Sequence, residues 1–230
     1  GGLGDDTLSD DQGSNWLDGE VGNDSLSTQS LSGQHTLIGG VGNDSLFAVG
    51  KQVSLQGGDN DDSLQSNMYL DNNRGDVEDG RATLDGGSGN DSLGFTADIW
   101  KKNTHAATLL GGLGNDSLSQ QGGAQAELSG GDGDDDVSAY YVTTATLSGG
   151  AGRDTLTLSF YNPSTLGAQE KFKSSYVLDG GADNDVLDVS GQAYQYYGSV
   201  VMTLDGGTGD DTLNVSDTQA GDTGNSGQEN

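Results

Sequence analysis

One phrase recurs ten times in this chain of 230 residues: Gly, Gly, any residue, Gly, Asn or Asp, Asp, any residue, Leu. The copies start at Gly1, Gly19, Gly39, Gly57, Gly86, Gly111, Gly130, Gly149, Gly180 and Gly206. The sixth place is aspartate in every copy: Asp6, Asp24, Asp44, Asp62, Asp91, Asp116, Asp135, Asp154, Asp185 and Asp211. Two places later stands Leu in nine copies and Val137 in the tenth. Two places before each copy from the second on stands Leu: Leu17, Leu37, Leu55, Leu84, Leu109, Leu128, Leu147, Leu178 and Leu204. A repeat of this kind settles the architecture before any other feature, because one unit cannot bury its apolar face alone. Stacked neighbours must supply the core.

The phrase dictates its own local structure. Adjacent glycines permit positive φ, so the backbone can turn tightly there. The flanking stretches, HTLI, VSLQ and ATLD before and DSLF after, place inward residues two apart, as a strand does. Four places before the copy the residue is often small or apolar: Val53, Ala82, Ala107, Ala126, Ala145 and Met202. The unit is therefore strand, tight turn, strand. Copies are spaced by 18, 20, 18, 29, 25, 19, 19, 31 and 26 residues. All of that variation lies between the Leu after one copy and the Leu before the next. Each coil thus has one strict edge, and one variable edge that is either wider or forms a third short side.

Composition says what such a coil needs. Eight basic residues face 36 acidic ones for a net charge of −28, and only 30 % of residues are hydrophobic, against about 45–50 % in ordinary domains. Such a chain leans towards disorder. Either something neutralises the carboxylates or the fold needs little core per residue, and the repeat calls for both. There is no cysteine, which excludes disulfides and thiolate metal sites. No apolar run reaches membrane-spanning length, and the charge opposes nucleic acid as a partner. The chain opens inside a copy, at Gly1-Gly2-Leu3-Gly4, which reads as a piece of something longer.

The phrase resembles the GGxGxD nonapeptide of the RTX (repeats-in-toxin, haemolysin-type) family, over residues 1 to about 215. The resemblance implies an all-β, right-handed parallel β-roll or β-solenoid, here of about ten coils, with calcium between stacked turns. Ordinary members carry the motif on both edges at nine-residue intervals. Here one edge keeps it, which leaves a single regular calcium-binding edge and a variable edge carrying insertions. The implied ligands are the carbonyls at the second and fourth places of one turn with its Asp, then those at the first and third places of the next turn with its Asp. Between the first two turns these are Gly2, Gly4, Asp6, Gly19, Val21 and Asp24. Further along they include Gly22, Gly40, Gly42, Gly58, Gly87, Gly89, Gly112, Gly114, Gly131, Gly133, Gly150, Gly152, Gly181, Gly207 and Gly209 with the remaining Asp of the row. Ten turns give nine gaps, and nine dications offset 18 of the 28 negative charges.

Calcium also fits on chemistry alone. It takes six to eight oxygens, carbonyls included, whereas magnesium holds its water and demands octahedral geometry. Zinc wants His or Cys, and the chain has two His and no Cys. Four copies depart from the pattern. Glu20 replaces the second Gly, Asn60 and Asp183 the third, and Arg153 the fifth-place Asn or Asp; weaker sites are expected there.

Ten coils at strand spacing make a rod roughly 45–50 Å long. Its thin core implies that stability depends on bound ion. The expected role is a calcium-stiffened structural segment of a large secreted or cell-surface bacterial protein, such as an adhesin, biofilm-matrix fibre or surface layer, with self-association or contact with a surface glycan. The alternative is a folding and secretion module of an exported enzyme or toxin leaving by a type I system. No catalytic residue is expected: His35 and His105 read as isolated surface residues, and no nucleophile–base pair appears. The Tyr, Trp and Phe residues avoid the strict motif; they either fill the wider core of long coils or form a contact surface, and most of the basic residues lie in the same insertions. Residues 1–215 read as one solenoid, and 216–230 as a linker or final half-coil.

Overall fold

The structure, a computed structural model, describes residues 1–68, 80–97, 105–161, 172–192 and 198–217. It holds two parallel sheets of ten strands each. Every coil gives one strand to each sheet. The entering strands run into the glycine turns, from Gly2–Leu3 to Gly198–Asp205, and the leaving strands run out of them, from Thr7–Ser9 to Thr212–Asp217. The chain is thus a β-roll of ten coils, and the described residues form no third sheet and no helix. The variable edge does not make a third strand-bearing side within them.

Register is strict. Leu37 pairs with Leu55, Leu84 with Leu109 and Leu128 with Leu147 in the entering sheet, while Leu26 pairs with Leu46 and Leu93 with Leu118 in the leaving sheet. A one-residue slip would turn every leucine to solvent. The long insertions at 69–79, 98–104, 162–171 and 193–197 lie outside the described residues, each between a leaving strand and the next entering one. The last strand continues to Asp217, two residues past the boundary read from the sequence.

Two leucine columns face each other across the coil, with a third column four places before the turn: His35, Val53, Ala82, Ala107, Ala126, Ala145 and Tyr176, all buried. A fourth buried column was not anticipated. It lies two residues beyond the leucine of the leaving strand and contains Thr28, Ala48, Ser66, Phe95, Gln120, Ala139, Leu158 and Val189. Its mixture of polar, small and aromatic side chains gave no apolar period to detect.

The interior brings a correction. His35 and His105, expected at the surface, are buried, at 2 % and 1 % exposure. His35 belongs to a directed chain of hydrogen bonds. Asn15 Nδ2 donates to Thr28 Oγ1 at 2.7 Å, Thr28 Oγ1 lies 3.3 Å from His35 Nδ1, and His35 Nε2 lies 3.0 Å from the carbonyl of Ser30. A carbonyl only accepts, so Nε2 carries the proton and Nδ1 accepts from Thr28. Some of the aromatics fill the core, as the first reading has it. Phe95 and Tyr176 are core, and Phe160 stacks on Tyr176 with ring centroids 5.2 Å apart. Trp16 and Tyr141 are exposed. Tyr69, Trp100, Tyr194, Tyr196 and Tyr197, with Arg74, Lys101, Lys102 and Lys171, lie outside the described residues.

Candidate metal centre

The three glycines of a turn do different work. At the second and fourth places φ is positive, as at Gly112 (117°) and Gly114 (115°). The non-glycine residues there adopt the same region: Glu20 at 77°, Asn60 at 82° and Asp183 at 79°. The first glycine has no positive φ in any turn, so freedom to turn is not why it recurs. It is there for room. A Cβ on Gly19 would stand 2.3 Å from Asp24 Oδ2 and 2.6 Å from the carbonyl oxygen of Gly39 in the next coil. The same two partners crowd Gly1, Gly39, Gly57, Gly86, Gly111, Gly149 and Gly180.

The carbonyls sort by direction. Those of the second and fourth places point forward, so that a Cβ on Gly112 would meet the oxygen of Gly87 at 2.1 Å, and one on Gly114 that of Gly89 at 2.0 Å. Those of the first place point back, as the crowding of Gly19 by Gly39 shows. Third-place carbonyls also point back and accept a hydrogen bond from the fourth-place N–H of the preceding coil, for example Val21 from Gly4 at 2.8 Å and Leu113 from Gly89 at 2.8 Å. Each keeps a second lone pair. Every gap between turns therefore receives four carbonyls, from the places named in the sequence.

The sixth-place aspartates line this edge from within. Asp24, Asp44, Asp62, Asp91, Asp116, Asp135, Asp154 and Asp185 are buried, while Asp6 and Asp211, in the outermost coils, are half-buried. Each carboxylate splits its oxygens. Oδ1 accepts the backbone N–H of the aspartate one coil earlier: Asp6 donates to Asp24, Asp62 to Asp91 and Asp91 to Asp116, all at 2.7 Å, and the row ends with Asp185 donating to Asp211 at 3.0 Å. Oδ2 of all but Asp211 is buried without a hydrogen-bond partner. Nine ionisable oxygens in one column are thus withheld from water and given no donor.

A second ladder runs the opposite way on the exposed side of the turn. The fifth-place N–H donates to the fifth-place side chain one coil earlier: Asn43 to Asn23 Oδ1, Asn90 to Asp61, Asp134 to Asn115 and Arg153 to Asp134, each at 2.8 Å. Arg153 has no acceptor to pass the ladder on; its guanidinium turns back to Asp134 Oδ2 at 2.8 Å. Neither ladder was anticipated. Asn or Asp at the fifth place in nine of ten copies was the available signal, since both are short acceptors next to their own backbone.

The electrostatics are adverse without a cation. Burial, with neighbouring carboxylates adding to it, pushes the carboxyls of Asp62 and Asp154 up to about 7 and those of Asp116 and Asp135 up to about 6. The N–H donated to Oδ1 only partly offsets this. Asp44, Asp91 and Asp185 are raised for the same leading reason, burial. The residues fit a hard cation held mainly by the main chain. Among the described residues no three Asp, Glu, His or Cys side chains converge as a metal cluster, and calcium alone of the ions considered accepts so carbonyl-rich a set. The first-place glycine leaves an open notch between a partnerless carboxylate oxygen and a backward-pointing carbonyl.

The family model of the RTX calcium-binding nonapeptide repeat (4 copies) matches residues 1–29, 76–93, 145–159, 177–193 and 203–217. No curated protein and no solved structure matches the chain.

Proposed function

Because the chain belongs to the RTX calcium-binding repeat family, we propose that it is a calcium-folded, calcium-stiffened structural segment of a large secreted or cell-surface bacterial protein, such as an adhesin, a biofilm-matrix fibre or a surface layer. The observation that carries this is the column of nine buried, partnerless carboxylate oxygens on the strict edge. A bound dication supplies the positive charge the column lacks. Within each gap the forward carbonyls of one turn, for instance Gly87 and Gly89, and the backward carbonyls of the next, Gly111 and Leu113, are assigned as ligands. Asp91 and Asp116 complete the shell. The Oδ1 ladder holds each carboxylate in place, so no side-chain search precedes binding. The role is structural, and no catalytic residue is assigned.

The raised carboxyls also suit the second reading, a secretion module. A chain that cannot close its coils until it meets calcium stays unfolded during export and folds outside. Circular dichroism and electron microscopy in calcium, then in excess chelator at pH 7.5, test both. Strand content that appears only with calcium supports the metal-folded coil, and fibres alongside it support the structural segment. Strand content without assembly leaves the secretion module. Full strand content that persists in chelator sinks both.

A further inference from the structure

The outer face of the entering sheet is not flat. Across five consecutive strands, from Arg81–Ser88 to Phe172–Ala182, it carries a groove of about 380 Å³. The groove follows the coil axis for four strand spacings, roughly 19 Å. Its floor has a cause in the sequence. The inward residue beneath it is alanine in successive coils, Ala107, Ala126 and Ala145. The same column holds His35 and Val53 towards one end of the roll and Tyr176 and Met202 towards the other. Alanine methyl groups thus underlie the groove, and the larger side chains of the same column lie on either side of it. The outward lining is mainly hydroxyl and amide, with Thr108, Gln125, Thr146 and Ser175, a single Glu127, Arg81 at one end, and Ala106 and Val177 as its apolar members.

We propose that this groove binds a neutral, linear, β-1,4-linked polysaccharide lying along the coil axis. The inference rests on the calcium-folded coil, since the groove exists only when the strands are stacked. Three observations select the ligand. First, the polar groups recur once per strand: Thr108, Glu127 and Thr146 occupy one outward register position, Gln125, Thr144 and Ser175 another. Their period is one strand spacing, close to the advance of one pyranose ring in an extended chain. An extended peptide repeats a face about every 6.8 Å, out of step with these rungs, and would dock on a strand edge rather than across strands. Second, hydroxyls and a carboxamide offer donors and acceptors to sugar hydroxyls, with little apolar surface for peptide side chains. Third, one arginine in a chain that stays net negative even when nine dications offset 18 of its 28 charges cannot hold a polyanion against the field of the whole molecule.

The test is affinity electrophoresis of the calcium-loaded full chain through gels containing a β-1,4-glucan, a β-1,4-mannan or a polyanionic glycan. Retardation by a neutral polymer is expected, with the dissociation constant raised about tenfold or more in the double variant Thr108→Val, Thr146→Val. The double variant must keep the native dichroism and calcium midpoint. No retardation of a folded chain, retardation that the double variant leaves unchanged, or preference for the polyanion would overturn the proposal. If the double variant misfolds, amide shifts of the native chain on adding cellohexaose decide: they must cluster at Thr108, Gln125 and Thr146, and shifts elsewhere overturn it. A chain that does not fold in calcium refutes the calcium reading instead; a chain that folds and binds nothing refutes only the groove.

Discussion

The two edges of each coil solve the same problem, reversing the chain, in opposite ways. On the strict edge the backbone does the work. Carbonyls point alternately forward and back, and each aspartate clamps the previous coil through Oδ1. On the variable edge side chains do the work, and they change from coil to coil. His35 is packed between Gly33 and Gly50, where a Cβ on either would come within 2.3 Å of its ring. Phe95 fills another coil, Gln120 Nε2 bonds the carbonyls of Gly122 and Gln125, and Tyr176 donates its hydroxyl to the Val142 carbonyl at 3.0 Å. A main-chain device tolerates no insertion, because every atom of it is in register with the next coil. A side-chain device tolerates many, since lengthening a loop costs little closure entropy.

If the strict edge is an electrostatic column, protons should replace calcium there, and this is the largest effect expected. The carboxyls of Asp62, Asp116, Asp135 and Asp154 rise from 3.8 to about 6–7 in the folded coil. Between those values the folded chain holds protons that the unfolded chain has shed. Stability of the metal-free coil is therefore greatest below 3.8 and is lost as pH climbs to about 7. In chelator, strand content absent at pH 7.5 should return on acidification to pH 5, still above the sequence pI of 4.1. With calcium present, the concentration needed to half-saturate the folded coil should rise over the same descent, because protons compete for the same oxygens. A metal-free chain equally unfolded at both pH values would break the comparison at its root.

Asp116→Asn separates the two jobs of one carboxylate. The amide keeps an oxygen for the Asp91 N–H, now 2.7 Å from Oδ1, and replaces the partnerless oxygen with NH₂. With calcium the variant should lose about 1–3 kcal/mol and need more ion for folding. In chelator at neutral pH the sign should reverse, because one buried charge has gone. Paired calcium titrations and urea melts read both. Destabilisation in both conditions would mean that the carboxylate is only a clamp.

The same contrast explains what could be read in advance. Ten closely similar phrases carried strand, turn, strand, the parallel register and the column of Asp6 to Asp211, because backbone geometry repeats whenever its turn residues do. The role of Gly19 and its equivalents was legible only as φ freedom; their service as empty space needed the position of Asp24 Oδ2 and the next coil. The burial of His35 was hidden because its partners, Asn15, Thr28 and Ser30, belong to no repeated pattern. A histidine preceded by Gln and followed by Thr carries no sign of being core.

His35→Ala tests how local the variable edge is. It removes the acceptor of Thr28 and the donor to Ser30 and leaves a void, for a cost of about 2–4 kcal/mol. Repeat stacks transmit chiefly to nearest neighbours. Hydrogen exchange should therefore quicken in the strands Asn15–Val21, Gln34–Val41 and Gln52–Asp59 and stay unchanged from Thr144 onwards. Faster exchange along the whole roll would show that the variable edge is as cooperative as the strict one.

The smallest effect has the opposite sign and sits on the strict edge. Glu20 is the one non-glycine at a second place, with φ 77°. At that place in later turns a Cβ would come within about 2 Å of the preceding coil's carbonyl, 2.1 Å for Gly40 against Glu20. Left-handed backbone costs a residue with a side chain about 1–2 kcal/mol, and glycine avoids most of that while losing somewhat more entropy on folding. Glu20→Gly should therefore stabilise the calcium-loaded chain by about 1 kcal/mol, read as a higher urea midpoint at constant slope. The ligand assigned at this place is a carbonyl, so calcium stoichiometry should not change. If instead the substitution weakens calcium binding, the Glu20 carboxylate, which is solvent-exposed, takes part in holding the ion, and the strict edge is not purely a main-chain device in that coil.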